Sequence, residues 1–441
     1  MTNCNQLSFE FSRADRRRVV AQFDGGDISS DGGLLLLREV DAQIGLLDRA
    51  ADLLPDSRDP NRIRHSQRSL LKQRVFGIAQ GWEDLNDHDR LRNDPLLQTS
   101  LGSSTTLASA PTLCRMEHRC QRSCAIALQD LLVTTFIESR RDDPPTELIL
   151  DFDATDDPVH GNQEGRFFHG YYDRYCFLPL YVFCDSQPLI AWLRPSNIDG
   201  ARGSWLILKA LVNRLRKAWP QVRIVFRADS GFCRWRMLRW CENNDVDYVV
   251  GLAKNKRLER EAAPLMEEAE QGYEQSRSRV RRFGWMSYAA KSWDRERTVI
   301  AKAEHSGKGS NPRFVITTLT GEAQKIYEGI YCARGDMENR IKEQQLGLFA
   351  DRTSSHRWWP NQLRLLMSTL AYVLVETLRR TALETTDLAQ AQVSRIRLEL
   401  LKIGAVVVRN TRRIVVHLSS SFPGREIFEV VHRRLCLAQS G

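Results

Sequence analysis

Between residues 146 and 253 short apolar runs alternate with amphipathic stretches, and this alternation restricts the fold more than any other feature of the chain. ELILDFDATDD is a brief apolar run that closes on acids. FFHGYYDRYCFLPLYVFC and PLIAWLRPS follow as aromatic and β-branched segments with the character of antiparallel strands. SWLILKALVNRLRKAW then has helical spacing, VRIVFRAD reads as a strand, RWRMLRWCENN as a helix and DYVVGLA as a strand again. Hairpin-compatible strands followed by alternating helix and strand predict a mixed α/β sheet.

The flanks read differently. Residues 20–145 are mostly helical in pattern, with Ser29, Ser30 and Asp31 offering an N-cap before a leucine-rich stretch. A second helix places Leu70, Leu71, Val75, Phe76 and Ile78 toward a core, and a third carries Arg115, Arg119 and Arg122. DDPPTE breaks the helical pattern near residue 145. After residue 253 comes a charged, weakly helical piece and then strand-like segments, which reads as a β-rich insertion over 254–320. Helices resume at 322–348 and 358–384, followed by another helix, a hairpin in AVVVRNTRRIVVHL and a last helix near 424–437.

Composition narrows the class. Lys plus Arg number 64 against 55 Asp plus Glu, a net charge of +9, which suits a polyanionic partner and equally serves solubility. The first twenty residues hold no apolar run, so no secretory signal is expected. Leu365 to Val375 is the most membrane-like stretch, but it falls well short of the roughly 20 residues a spanning helix needs. It reads as a buried helix. The ten cysteines are scattered without paired spacing, as reduced thiols in a cytoplasm would be.

The candidate chemistry lies in three acids. Asp153 ends one strand-like run and Asp229 ends another, so their carboxylates can converge at the sheet's edge. Asp151, two residues before Asp153 and on the same strand face, is the alternative first member. Convergent carboxylates repel unless a cation neutralises them, which points to a hard metal with oxygen ligands. On a regular helix at about 100° per residue, Tyr327, Tyr331, Arg334, Glu338, Lys342 and Gln345 share one stripe. That stripe is either a solvated face or a surface spaced to meet a phosphate backbone.

DFDAT, FRADSGF and YCARGDMENRIKE resemble the three catalytic motifs of DDE insertion-sequence transposases, and in particular the thirteen-eighty group. DATDDPVHG, RFFHGYY, NQLRLLMSTLAY and RVFGIAQGWEDLNDHDRLRNDP resemble that group as well, so the likeness covers nearly the whole chain. It implies an RNase H-like sheet carrying Asp153 and Asp229, with the Glu338 helix docked beside it after the insertion. It favours Asp153 over Asp151, because the first motif reads Asp, any residue, Thr. The family's Tyr, two residues, Arg, three residues, Glu is met by Tyr331, Arg334 and Glu338. The Lys that should come seven residues later is Gln345 here, and Lys342 is the candidate to replace it in contacting phosphate.

The resemblance further implies Mg²⁺, with Mn²⁺ able to substitute, held by Asp153, Asp229 and Glu338. Two such ions about 3.5–4 Å apart activate an attacking oxygen and stabilise a leaving one. The implied reaction is cleavage at transposon ends to free a 3′-hydroxyl, which then attacks the opposite strand or target DNA. The implied partners are the double-stranded inverted-repeat ends and target DNA, handled by a homodimer in the cytoplasm at the bacterial nucleoid, without a membrane. The domains are then a helical DNA-binding region (1–145), a catalytic core in two parts (146–253 and 321–385), the insertion (254–320) and a C-terminal region (386–441).

Other features admit two readings. Trp285 and Trp293 lie in the insertion beside Arg279, Arg281 and Arg282. Each either packs in the core or stacks on an unpaired base, as a Trp does in relatives. Arg16 to Arg18, and the Arg62, Arg64, Arg68 and Lys72 series, either line a DNA track or form solvated faces. GGDISSDGG has the glycines of a phosphate loop without the Gly-Lys-Ser/Thr that should come after them.

Overall fold

A computed structural model describes residues 8–437. The outermost parts of the N-terminal and C-terminal regions therefore lie outside the described residues. The chain divides into two units. One comprises the residues up to Cys120, Gly347–Phe349 and those from Leu370 onward; the other comprises Gln121–Leu346 and Ala350–Thr369.

The first unit is not wholly helical. It opens on an antiparallel hairpin of β1 (Ser8–Ala14) and β2 (Arg17–Gln22), in which Phe9 faces Ala21 and Phe11 faces Val19. Aromatic and β-branched residues at alternate positions favour this pleated pairing over a helix. A short β3 (Ile28–Ser29) pairs with the C-terminal strand Ala405–Arg409, so Ser29 does not cap a helix. The helix starts at Leu34, and Asp31 instead accepts hydrogen bonds from Trp82 Nε1 at 3.0 Å and Lys402 Nζ at 2.6 Å. The glycines of GGDISSDGG have a packing role. Gly32 and Gly33 donate backbone hydrogen bonds to the Ile403 and Leu401 carbonyls, and a Cβ at Gly33 would come within 2.3 Å of the Leu400 carbonyl oxygen.

Helix Gln67–Ala79 buries Leu70, Leu71, Val75, Phe76 and Ile78 as its spacing predicts. Part of the basic track is already neutralised: Arg68 pairs with Asp52, and Lys72 reaches both Asp41 and Asp48. The expected C-terminal hairpin and final helix form at Ala405–Arg409, Ile414–Leu418 and Arg425–Leu437. Leu365–Val375 lies within helix Trp358–Ala382 and is buried. Among the described residues no helix is long and apolar enough to cross a membrane.

The second unit is built on a large mixed sheet. Its strands are β4 (Glu147–Ala154), β8 (Leu180–Cys184), β9 (Gln187–Trp192), β10 (Arg223–Ala228), β11 (Val246–Leu252), β12 (Val280–Tyr288), β13 (Arg297–Ser306), β14 (Gly309–Ser310) and β15 (Arg313–Thr317). Three shorter strands, β5 (Asp157–Pro158), β6 (Phe167–His169) and β7 (Arg174–Phe177), form a separate small sheet in the order β5-β7-β6. The large sheet runs β12-β13-β15-β11-β10-β4-β8-β9, with β14 hung on β13. Its centre, β4, β10 and β11, is parallel, and both wings are antiparallel.

The β-rich stretch 254–320 forms one wing of this sheet. After two helices, Lys256–Glu261 and Ala263–Ser276, the strands of 254–320 continue the central sheet, because β15 pairs directly with β11 (Val250 against Ile316). The free backbone of edge strand β9 is occupied by side-chain amides. Gln129 bonds both the Ala191 carbonyl and its N–H, and Gln362 bonds Ala191 and Leu193. Such pairing blocks edge-to-edge association.

Alternation along each strand sorts the sheet into two faces. Leu148, Leu150, Phe152, Phe226, Ala228, Tyr248 and Val250 point to one face and its large apolar core. Ile149, Val225, Val249, Ile300 and Val315 point to the other, where they meet Ile326 and Tyr327 from the segment that leads to Glu338.

Candidate active site

Asp153 and Asp229 stand on that second face. β4 and β10 are parallel and in register through Phe152↔Ala228, so the aspartates lie near each other at the C-terminal ends of neighbouring strands. The chain turns immediately after Asp229, whose Oδ1 accepts a hydrogen bond from the Gly231 N–H at 2.9 Å. On the adjoining strand Gly251 leaves room for this turn. A Cβ there would lie 2.6 Å from the Tyr331 hydroxyl and 2.8 Å from the Ser230 nitrogen.

Asp151 has another partner. Arg227 donates to both of its carboxylate oxygens, from Nε at 2.5 Å and Nη2 at 2.6 Å, and its Nη1 donates to the Ile330 carbonyl at 2.6 Å. One buried guanidinium therefore joins β4, β10 and the segment preceding the Glu338 helix. Sequence reasoning misses Arg227, although an arginine facing inward in VRIVFRAD, two residues before Asp229, is a readable signal.

The segment around Glu338 is not one regular helix. A π-turn spans Ile326–Tyr331, marked by Cys332 N–H donating to the Tyr327 carbonyl five residues back; helix Arg334–Lys342 comes next, and a second π-turn spans Glu343–Gly347. Each π-turn inserts a residue and shifts the phase of the residues C-terminal to it. The six-residue stripe is therefore divided. Tyr327 is buried, Tyr331 and Arg334 line the acids, Lys342 is exposed, and Gln345 donates to the Asp156 carbonyl at 3.0 Å.

Arg334 lies among the acids. Its Nη2 is 2.5 Å from Glu338 Oε1 and its Nη1 is 3.8 Å from Asp153 Oδ1. Burial pushes the Asp153 carboxyl up to about 7; Arg334 opposes that rise, and the charges of Asp229 and Glu338 add to it. Arg334 in turn is held more firmly protonated, because the charges of Asp153, Glu338, Tyr331 and Asp229 outweigh its burial. Asp229 and Glu338 thus act on Asp153, and all three acids act on a single guanidinium.

Three oxygen-donor carboxylates, two of them at the C-terminal ends of central strands, suit a hard divalent cation in kind. Among the described residues, however, no group of three or more His, Cys, Asp or Glu side chains is already drawn together as a metal cage. Arg334 is the positive group placed between Asp153 and Glu338, so closing the carboxylates on a metal requires Arg334 to yield.

The two tryptophans separate. Trp293 packs edge-on against Tyr288 at 5.4 Å and beneath Arg297 at 5.5 Å, partly buried on the core of the opposite sheet face, which favours packing over base stacking for this ring. Trp285 is 42% exposed. It lies in one cross-strand row with Ile300, Val315 and Gly251, and so on the face that bears the acids.

The chain matches the family described as transposase DDE domain group 1 over residues 11–440. No curated protein matches it. A solved piggyBac transposase synaptic complex with hairpin DNA is similar at 13% identity and a TM-score of 0.41, over 85% of this chain and 80% of that one.

Proposed function

The chain belongs to the DDE transposase family and is a DNA transposase, and from that premise we propose that Asp153, Asp229 and Glu338 are its catalytic carboxylates. The observation that carries this reading is the unit they form around Arg334, which lies 2.5 Å from Glu338 and 3.8 Å from Asp153, with the Asp153 carboxyl raised by burial and by its two acidic neighbours. Asp151, whose two carboxylate oxygens both accept hydrogen bonds from Arg227, is left outside the proposed triad.

In this account the carboxylates hold Mg²⁺, which Mn²⁺ can replace, on an RNase H-like sheet. Bound there, divalent ions stabilise charge on the reacting phosphate and leaving oxygen. The chain's own groups position the site. Gly231 fixes the Asp229 carboxylate, Gly251 admits the Tyr331 ring beside it, and Arg227 fastens the Glu338 segment to the sheet. Arg334, released from Glu338, turns to a DNA phosphate, and exposed Lys342 supplies a second phosphate contact in place of the missing family lysine. Tyr331 and Trp285 complete the DNA-facing surface.

The substrates are inverted-repeat ends and target DNA, handled by a homodimer at the bacterial nucleoid in the manner of the thirteen-eighty insertion-sequence group. The N-terminal residues to 145 grip the ends, 146–253 and 321–385 carry the chemistry, 254–320 extends its sheet, and 386–441 forms a C-terminal region. The test supplies pre-cleaved duplexes bearing the inverted repeats that flank the gene. Joining to a target plasmid is the expected outcome. Mg²⁺-dependent cutting with no joining would instead make this a nuclease.

A further inference from the structure

Resting on that reading, the structure assigns a second DNA contact: the aromatic surface of the small β5-β7-β6 sheet, which we propose stacks the unpaired bases of a DNA strand next to the cut phosphate. The surface comes from RFFHGYYDRY, a stretch that the catalytic proposal leaves without a role. Phe168 and Tyr175 face each other across β6 and β7, with ring centroids 5.7 Å apart. Phe168 is 53% exposed and Tyr171, in the connecting turn, is 85% exposed. An aromatic side chain left this far in water forfeits apolar burial unless a partner covers it.

Charge selects the partner. Arg166 lies 4.5 Å over the Tyr175 ring, so a guanidinium already borders the aromatic faces, and Arg174, beside Tyr175 on β7, makes an ion pair with Asp156 at 3.8 Å. Rings interleaved with cations match a strand whose phosphates are anionic and whose bases offer flat π-faces. A duplex keeps those faces stacked within itself; only unpaired bases present them. Position agrees. β5 starts four residues after Asp153 and pairs with β7, the strand that carries Tyr175, and the Tyr172 ring lies edge-on to Tyr171 at 5.0 Å. The platform thus adjoins the place where a cleaved strand must separate from its complement.

The test uses the full chain in EDTA, which keeps binding apart from metal-dependent cutting. Affinity is measured by anisotropy for a labelled oligothymidylate and for a blunt duplex of equal length. The double variant Phe168→Ala/Tyr171→Ala should bind the single strand roughly fivefold or more weakly, with duplex affinity held within about twofold. Tyr171→Trp should retain single-strand binding, since it keeps the ring. Unchanged single-strand affinity in the double variant overturns the assignment, as does an equal loss for both DNAs. A shift in the variant's oligomeric mass with DNA binding intact would assign the surface to a second copy of the chain and also overturns it. Failure of wild-type cleavage in Mg²⁺ with the binding difference preserved would count against the catalytic reading alone.

Discussion

Arg227 holds Asp151 through both carboxylate oxygens, at 2.5 and 2.6 Å, on the strand that carries Asp153 two residues further on. The pair is buried on both sides. Removing one partner of such a pair strands a charge in a dry setting, at a cost of about 3–5 kcal/mol.

Two aspartates on one face of one strand should therefore respond oppositely. Asp151→Ala is expected to lower the thermal midpoint markedly. Asp153→Asn relieves repulsion among neighbouring acids, and should leave the midpoint unchanged or higher while abolishing cleavage. Scanning calorimetry beside a plasmid-nicking assay separates them. Equal destabilisation by both would place Asp153 in the structural pair as well.

Gly251→Ala should reduce cleavage without unfolding the chain. The added methyl meets the Tyr331 hydroxyl at 2.6 Å and the Ser230 nitrogen at 2.8 Å, so the Asp229 turn must shift. Displacement of a catalytic group by about 1 Å can cost on the order of 100-fold in rate. Circular dichroism with a single-turnover nicking rate checks this, and an unchanged rate would remove Gly251 from the site.

Much of this site is legible in the sequence, but only where periodicity governs. Asp153 and Asp229 end apolar runs, and period-two alternation places both on the strand face opposite Phe152 and Phe226. The continuity of 254–320 with the core sheet is hidden, because pairing β15 with β11 is a tertiary choice made across more than sixty residues of chain. The phase of the Glu338 segment is hidden too. A π-turn has no strong residue signature, so a uniform helix puts Tyr327 on the same stripe as Glu338 when it is in fact buried against Phe283, with ring centroids 5.5 Å apart. Trp293 misleads for the opposite reason: proximity to arginines in sequence says nothing of which sheet face a ring occupies.

Glu304 gives a pH-dependent contribution away from the acids. Burial raises its carboxyl, but hydrogen bonds from Arg281, Asn311 and Lys302 and the Lys302 charge outweigh this and bring it to about 2, from an ordinary 4.5. A carboxyl depressed on folding stabilises above its unfolded value, and that stabilisation is lost as pH falls through the folded one. The thermal midpoint of the wild type should therefore fall more steeply between pH 4.5 and about 2 than that of Glu304→Gln. Parallel curves would show that the Arg281 pair contributes nothing.

Arg334 should compete with metal for the carboxylates. Arg334→Gln removes the internal counter-ion, so Mg²⁺ is expected to raise the thermal midpoint of this variant more than that of the wild type, while cleavage drops. Differential scanning fluorimetry with Mg²⁺ and EDTA measures the difference. Identical shifts would mean that Arg334 and the ion do not share these acids.

The most direct measurement of the central claim is made on Asp229→Asn with a duplex carrying the flanking inverted repeats. Nicking in Mg²⁺ and binding in EDTA are measured on the same preparation. Loss of nicking with affinity for the ends preserved is the result this account predicts; nicking at the wild-type rate would contradict it.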